Sequence, residues 1–374
     1  MIPASPFRLF INPAHGTPGS VVLPEAGFRR ARAAIAAWPG YALSPLVCLP
    51  GAASAAGLGA LVVKDETARF GLGSFKALGG AYAVAEALAD ARARTPDGAF
   101  TVTAATDGNH GRAVAWGARL AGAACVIFLH EAVSPDRAAA IAAEGAHLRI
   151  VPGSYDDAVR EAARAAAEEG FLLISDTSWP GYTEVPRRVM QGYRVMAEEA
   201  LSQCAAPPTH VFVQAGVGGL AAAVSAQCRA QIAPPPSLIV VEPTGAACLL
   251  ESAMAGAATA LPTAPETLMA GLACGEPSLL AWQELGRAAR AFMAVPDTVI
   301  GPALLLLARA GVTAGDSAVA GLAGALLAAA DPDARAALGL DGQSRVLVFA
   351  TEGATDPVRY AALTGFAPGT VPAD

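Results

Sequence analysis

The sequence is poor in charge and in aromatic residues, and its cysteines are not paired. Charged residues make up 15% of the 374 positions and aromatic residues 6%. The net charge is −7, with the acidic residues dispersed, and no basic stripe offers itself to nucleic acid. The six cysteines (Cys48, Cys125, Cys204, Cys228, Cys248 and Cys274) are scattered, without a Cys-x-x-Cys pair. That pattern argues for reduced thiols in a cytoplasm and against structural zinc. There is no His-Glu-x-x-His, and the five histidines have no ligand spacing, so no metal is expected. The N-terminus lacks a charged segment followed by an apolar core, so no export signal is expected. Apolar residues reach 54%, yet the excess is mostly alanine and no uninterrupted, strongly apolar run reaches membrane-spanning length. The stretch from Ile300 to Ala310 is short and broken by Pro302 and Arg309. Such a composition implies large buried surfaces, among them a subunit interface, rather than a membrane span. No internal repeat or low-complexity tail is present.

What is present is a strand–helix alternation. Glu25 to Ala37 carries Phe28, Ala31, Ala34 and Ile35 at helical spacing, and Trp38-Pro39-Gly40 stops it. From Phe100 the pattern predicts strands at Phe100–Ala105, Cys125–Leu129, His147–Val151 and Phe171–Ser175. Helices fall between them, with Pro135 at a first helical position and Ser154 as a cap. Pro186 to Leu201 reads as a long helix, and strands follow at Val211–Gln214, Leu238–Val241 and Val346–Phe349. Helices are predicted over Gly245–Ala255 and Pro277–Phe292. The strands are continuous apolar runs without alternation, as parallel strands covered on both faces require. The expected fold is α/β, with two open, mostly parallel twisted sheets flanked by helices. The expected division is a discontinuous larger domain over 1–95 and 188–374 and a smaller one over 96–187.

Chemistry-bearing residues cluster where strands end, the place where open α/β sheets hold ligands. The apolar run Leu61-Val62-Val63 ends in Lys64-Asp65-Glu66, a glycine-punctuated turn follows, and Lys76 opens an apolar helix. Beside Phe75 and Leu78 a lysine is poorly solvated, which lowers its pKa and frees the neutral amine that an aldehyde cofactor condenses with. The plainer alternative is a helix-start lysine whose amine snorkels to water. Gly216-Val217-Gly218-Gly219 follows a strand and opens a helix, so successive amides can wrap a phosphate. It lacks both the Lys-Ser/Thr of a nucleotide loop and the Gly-x-Gly-x-x-Gly spacing, which favours a small phosphate ester. In Asp107-Gly108-Asn109-His110-Gly111, Asn109 can donate to a phenolic oxygen and Asp107 is a strand-end carboxylate, or else a helix cap. Asp176, before Thr177-Ser178-Trp179, is a substrate-side acid or base or an ordinary loop cap. Thr351 ends the last strand, where a hydroxyl could meet a heteroaromatic nitrogen. A condensing amine, a phosphate cradle and a pyridine partner together describe pyridoxal 5′-phosphate.

Ser74-Phe75-Lys76 resembles the lysine motif of the second fold type of pyridoxal-phosphate enzymes, which includes serine and threonine dehydratases and tryptophan synthase β-chains. Within that group the sequence resembles the diaminopropionate ammonia-lyases more closely than the dehydratases, and the likeness runs nearly the whole chain. It covers Trp38-Pro39-Gly40-Tyr41, Lys64-Asp65-Glu66, Arg69-Phe70-Gly71-Leu72, Thr106-Asp107-Gly108-Asn109-His110-Gly111-Arg112, Asp176-Thr177-Ser178-Trp179, Met190-Gln191-Gly192-Tyr193, Gln214-Ala215-Gly216-Val217-Gly218, Met269 to Glu276 and Thr351-Glu352-Gly353. Ordinary dehydratases carry Ser-x-Gly-Asn where this chain has Thr106-Asp107-Gly108-Asn109. Departures stand at Gly73-Ser74, where Asn-Ala is frequent, and at Asp316, where Glu is usual. The resemblance implies that Lys76 holds the cofactor and acts as a base, with Phe75 beside it. It also implies that Asn109 binds the ring hydroxyl, Gly216, Val217, Gly218 and Gly219 the phosphate, and Thr351 the ring nitrogen, while Asp107 and Asp176 serve acid–base steps. The implied reaction is α,β-elimination on a small amino acid in a cytoplasmic homodimer. The alternatives on the same scaffold are a serine or threonine dehydratase or a racemase, and, outside catalysis, a cofactor-binding regulatory protein.

Overall fold

The computed structural model describes residues 2–106, 108–153 and 155–370, except for the side chain of Asp156. The chain forms two compact units. One comprises Met1–Val22, Leu43–Ala68 and Met196–Asp374, the other Leu23–Ala42 and Arg69–Val195. Grouped by contact, residues 23–42, 69–95 and 188–195 go with the smaller unit, beside the 96–187 expected there. The strands among the described residues are, in chain order, β1 (Arg8–Ile11), β2 (Leu46–Cys48), β3 (Ala60–Asp65), β4 (Thr101–Ala105), β5 (Ala124–His130), β6 (His147–Val151), β7 (Leu172–Leu173), β8 (His210–Gln214), β9 (Ser237–Pro243), β10 (Ala291–Val295) and β11 (Arg345–Ala350).

The larger unit holds a seven-stranded sheet in the order β1-β10-β9-β8-β11-β3-β2. Its interior is parallel, with Val213 opposite Val240 and Val348 opposite Val63, and each edge carries one antiparallel strand. β8, β10 and nearly all of β9 and β11 are buried, as their unbroken apolar sequences foretell. The alanine excess finds its use here. In the helix Ala320–Ala330, a Cβ on Gly321 would sit 2.8 Å from the Phe212 carbonyl, and one on Gly324 would sit 2.9 Å from Val241. Small residues therefore let this helix lie directly on the sheet. The predicted helix Pro277–Phe292 needs correction. The helix runs over Leu279–Ala288, and Ala291–Val295 is β10, a central strand whose amides pair with β9 and β1. Of the charges that end the β3 run, Lys64 and Glu66 are buried and Asp65 is half-buried. Lys64 is fully buried, 3.0 Å from Glu199, and donates to the Ser44 carbonyl at 2.8 Å and to Gln203 Oε1 at 2.7 Å.

The smaller unit holds a parallel four-stranded sheet, β6-β5-β4-β7. Helix Lys76–Arg94 packs against helix Asn109–Leu120, and here too glycine sets the distance: a Cβ on Gly117 would lie 2.6 Å from Ala81 Cα. Likewise a Cβ on Gly192, in helix Glu184–Gln203, would lie 2.1 Å from the Leu78 carbonyl. The predicted strands at Phe100–Ala105, Cys125–Leu129 and His147–Val151 form within a residue of their expected bounds, while Phe171–Ser175 shrinks to two paired residues. The predicted cap Ser154 lies outside the described residues.

Candidate active site

The turn before Lys76 is wound tightly. Phe70 adopts φ 52°, a left-handed conformation that is costly for a large side chain. It is held there by Trp116 and Trp38, whose ring centroids lie 4.9 and 5.9 Å away. Arg112 donates to the Leu72 carbonyl at 2.8 Å. The turn closes with the Lys76 amide donating to Ser74 Oγ at 3.3 Å, and helix Lys76–Arg94 begins.

Lys76 Nζ donates to Asp176 Oδ2 at 2.6 Å, with the two side chains 22% and 18% exposed. The amine is thus held by a carboxylate, and not merely surrounded by the apolar neighbours that the sequence suggested. Asp176 is itself well anchored. The Ile174 amide continues the β7 pairing by donating to the Thr103 carbonyl at 2.8 Å. Tyr182 donates its hydroxyl to the Leu173 carbonyl at 2.7 Å and accepts from the Ser175 amide at 3.1 Å. Trp179 stacks on the Tyr182 ring at 4.4 Å. His110 contributes from the head of helix Asn109–Leu120. Its Nε2 donates to the Ile174 carbonyl at 2.8 Å, since that oxygen can only accept, and its Nδ1 lies 3.8 Å from Asp176 Oδ2. Burial by itself would raise the Asp176 pKa. The Lys76 ammonium, and then His110, outweigh it and hold the carboxyl well below the usual carboxylate range.

Tyr193, which the sequence marked only as part of a resembling motif, joins this cluster. Its ring lies 4.6 Å from that of Phe75, and a Cβ on Gly79 would come within 2.4 Å of it. Phe75 and Gly79 flank Lys76 on the same helical turn. The Tyr193 hydroxyl is buried and finds no partner among the described residues, and burial pushes its pKa up. Asn109 opens the helix that carries His110 and is partly exposed. Asp107 lies outside the described residues.

The other expected residues gather in the larger unit. β8 ends at Gln214, and Gly216 to Gly219 lead into helix Gly219–Gln231, with Gly218 at φ 96° where a side chain would be strained. No side chain caps this helix, so its first amides are not spent on a cap. A Cβ on Gly216 would stand 2.8 Å from Cys274 Sγ, and one on Gly218 3.0 Å from Ala281 Cβ. A bare, glycine-lined helix start is what a phosphate ester needs, so these residues fit the phosphate of pyridoxal 5′-phosphate. Thr351, just past β11, accepts from Gln214 Nε2 at 2.8 Å, and the carbonyls of Phe349 at 2.9 Å and Ala318 at 3.1 Å share the amide's other hydrogen. Gln214 therefore ties the cradle strand to Thr351, a link that sequence spacing does not reveal. Asp316, the departure from the family pattern, is buried; Ser317 Oγ donates to it at 2.9 Å and Arg359 lies 3.5 Å away. Among the described residues no cluster of His, Cys, Asp or Glu could hold a metal, and no helix is long and apolar enough to cross a membrane.

Glu242, at the end of β9, is fully buried and accepts the amides of Leu249 and Leu250 at 2.8 Å each. Burial outweighs those two bonds and pushes its carboxyl up to about 8. Between the ordinary carboxylate pKa and that value the folded state binds more protons than the unfolded one. The group therefore stabilises the fold at low pH and loses that contribution as pH rises through about 8. We expect Glu242→Gln to keep one of the two amide contacts, through Oε1, and so to lower stability overall, while flattening the fall in urea midpoint between mildly acidic and mildly alkaline buffer. A slope equal to wild type would show that Glu242 titrates normally.

Comparison with known proteins is consistent across sequence and structure. The family described as "Pyridoxal-phosphate dependent enzyme" matches residues 37–352. The chain is similar to the diaminopropionate ammonia-lyase of Salmonella typhimurium, with 38% identity over 355 residues, covering 86% of this chain and 88% of that protein. The crystal structure of diaminopropionate ammonia lyase from Escherichia coli in complex with D-serine superposes with a TM-score of 0.88 at 32% identity, covering 96% of each chain. Threonine deaminase isoform 2 from Solanum lycopersicum, at 21% identity and a TM-score of 0.77 over 96% of each chain, shares the fold.

Proposed function

This chain belongs to the pyridoxal-phosphate-dependent enzyme family, and from that premise we propose that it cleaves 2,3-diaminopropionate by α,β-elimination, releasing pyruvate and ammonia. The observation that carries the reading is the pairing of Lys76 with an ionised Asp176 at 2.6 Å. Pyridoxal 5′-phosphate, when bound, supplies the aldehyde and an electron-accepting ring.

The residues divide the remaining work. Gly216, Val217, Gly218 and Gly219 hold the phosphate, Asn109 the ring hydroxyl and Thr351 the ring nitrogen. Lys76 anchors the cofactor and, once its amine is free, takes the Cα proton on Nζ. Asp176 keeps that amine oriented and accepts its proton. Asp107 pairs with the β-ammonium, which leaves well only while protonated; a carboxylate there suits diaminopropionate better than serine. The assembly is a homodimer in the cytoplasm, in keeping with the alanine-rich, apolar composition and the scattered free cysteines.

A ketoacid-release assay over D- and L-diaminopropionate, D- and L-serine and threonine tests this. Diaminopropionate should be the best substrate by kcat/KM. Serine ahead by a wide margin would make the protein a dehydratase, and a purified protein without the visible absorbance of bound cofactor would remove it from catalysis altogether.

A further inference from the structure

We propose that Gln214 is a positioning residue that fixes Thr351 as a hydrogen-bond donor, so that the heteroaromatic nitrogen opposite it is held unprotonated. The inference rests on the reading of Thr351 above and adds the group that decides its polarity. The side chain of Gln214 is buried, and its Nε2 faces three oxygens: the Phe349 carbonyl at 2.9 Å, the Ala318 carbonyl at 3.1 Å and Thr351 Oγ1 at 2.8 Å. Two of these are carbonyls, which only accept. A flipped amide would set its own oxygen against both, so the nitrogen must lie on this side. The amide has two hydrogens for these three oxygens and its nitrogen has no acceptor lone pair, so the shortest contact, 2.8 Å, is a hydrogen bond that Thr351 Oγ1 accepts, while the two carbonyls share the other hydrogen.

The direction of the Thr351 proton follows. The hydroxyl has one donor and two lone pairs. Gln214 fills one lone pair, and the proton of Thr351 finds no acceptor among the described residues. Thr351 is only 3% exposed, so water is a poor substitute. A pyridinium N–H could still donate to the second lone pair, but the threonine proton would then be buried without a partner, the costlier arrangement. An unprotonated nitrogen accepts that proton and leaves nothing unpaired.

Two features mark the amide as selected for its donors. Its Oε1 is buried without a hydrogen-bond partner among the described residues, a cost that an apolar side chain of the same size would avoid. Gly321 clears the space: a Cβ there would lie 3.0 Å from Gln214 Oε1. The chemical consequence concerns reaction choice. An unprotonated ring draws electrons less strongly, so negative charge at Cα is short-lived and expulsion of the β-substituent is favoured over reprotonation elsewhere.

The test uses holoenzyme carrying pyridoxal phosphate labelled with 15N in the ring. Wild type should show the resonance of a neutral pyridine at neutral pH. Gln214→Met, which removes both donors and keeps the volume, should move it toward pyridinium and raise the share of turnovers ending in transamination or racemisation about tenfold. Thr351→Ser, which keeps the hydroxyl, should leave the resonance in place. A pyridinium signal in active wild-type enzyme, or an unmoved neutral signal in loaded Gln214→Met, overturns the assignment alone. A wild-type protein that takes up no cofactor overturns the functional reading and this assignment with it. Should Gln214→Met not fold, Gln214→Leu takes its place, with the same shift expected and an unmoved neutral signal overturning the assignment.

Discussion

Lys76→Ala is expected to abolish the visible absorbance of bound cofactor and to lower ketoacid release by at least about ten-thousand-fold, because the proposed mechanism makes one amine both covalent anchor and proton acceptor. The substitution also strands Asp176. With its ammonium partner gone, a carboxylate only 18% exposed is left with His110 Nδ1 3.8 Å away. The wild-type Asp176 pKa is depressed, so its pairing stabilises the fold above the ordinary carboxylate range and is lost as pH falls through the depressed value. In Lys76→Ala the stranded carboxyl protonates more readily. The stability gap to wild type should therefore be full at neutral pH and close in acid. Urea midpoints across that range, together with an absorbance spectrum and a ketoacid assay, check all three points. A variant that keeps even one-hundredth of wild-type turnover would remove Lys76 from the chemistry.

The parts of the candidate site that are legible in the sequence are those whose signal is local. A lysine after a glycine-punctuated turn, a glycine run between strand and helix, and an Asn beside Asp107 at a strand end are short-range patterns, and the backbone around Lys76, Asn109 and Gly216–Gly219 follows them. What escaped depends on partners distant in sequence. β10 escapes because Ala-Phe-Met-Ala-Val continues an alanine-rich apolar run, so that its first two residues fall within the expected helix Pro277–Phe292; its identity comes from the Leu9, Phe10 and Val240 backbones beside it. β1 and β2 are short edge strands with the same difficulty. Gln214 looks like one polar residue ending a strand; its meaning lies in Ala318, Phe349 and Thr351, more than a hundred positions away. Lys64 shows the converse. Charges at a strand end suggest solvent, yet Glu199 and Gln203 are brought to it by a helix that starts well over a hundred residues later. Local pattern thus locates a site, while the polarity of its hydrogen bonds is set by packing.

Asp176→Asn should carry the second large effect, a loss of about one-hundred- to ten-thousand-fold in turnover with the cofactor still captured. Asparagine keeps the volume and one oxygen for Lys76 Nζ, while Tyr182 and His110 continue to hold the backbone on either side. What disappears is the charge and the ability to take a proton. Freed from its ion pair, Lys76 should take up pyridoxal phosphate at least as readily, so absorbance and turnover should part company. The leaving group then decides which proton Asp176 handles. β-Chloroalanine expels chloride, which needs no proton, whereas diaminopropionate expels ammonia, which does. Because Asp176 is hydrogen-bonded to the amine that the proposed mechanism sets to work at Cα, both substrates should fall by the same factor. If β-chloroalanine is spared, Asp176 serves the departing β-nitrogen instead, and its pairing with Lys76 is a resting contact that substrate replaces.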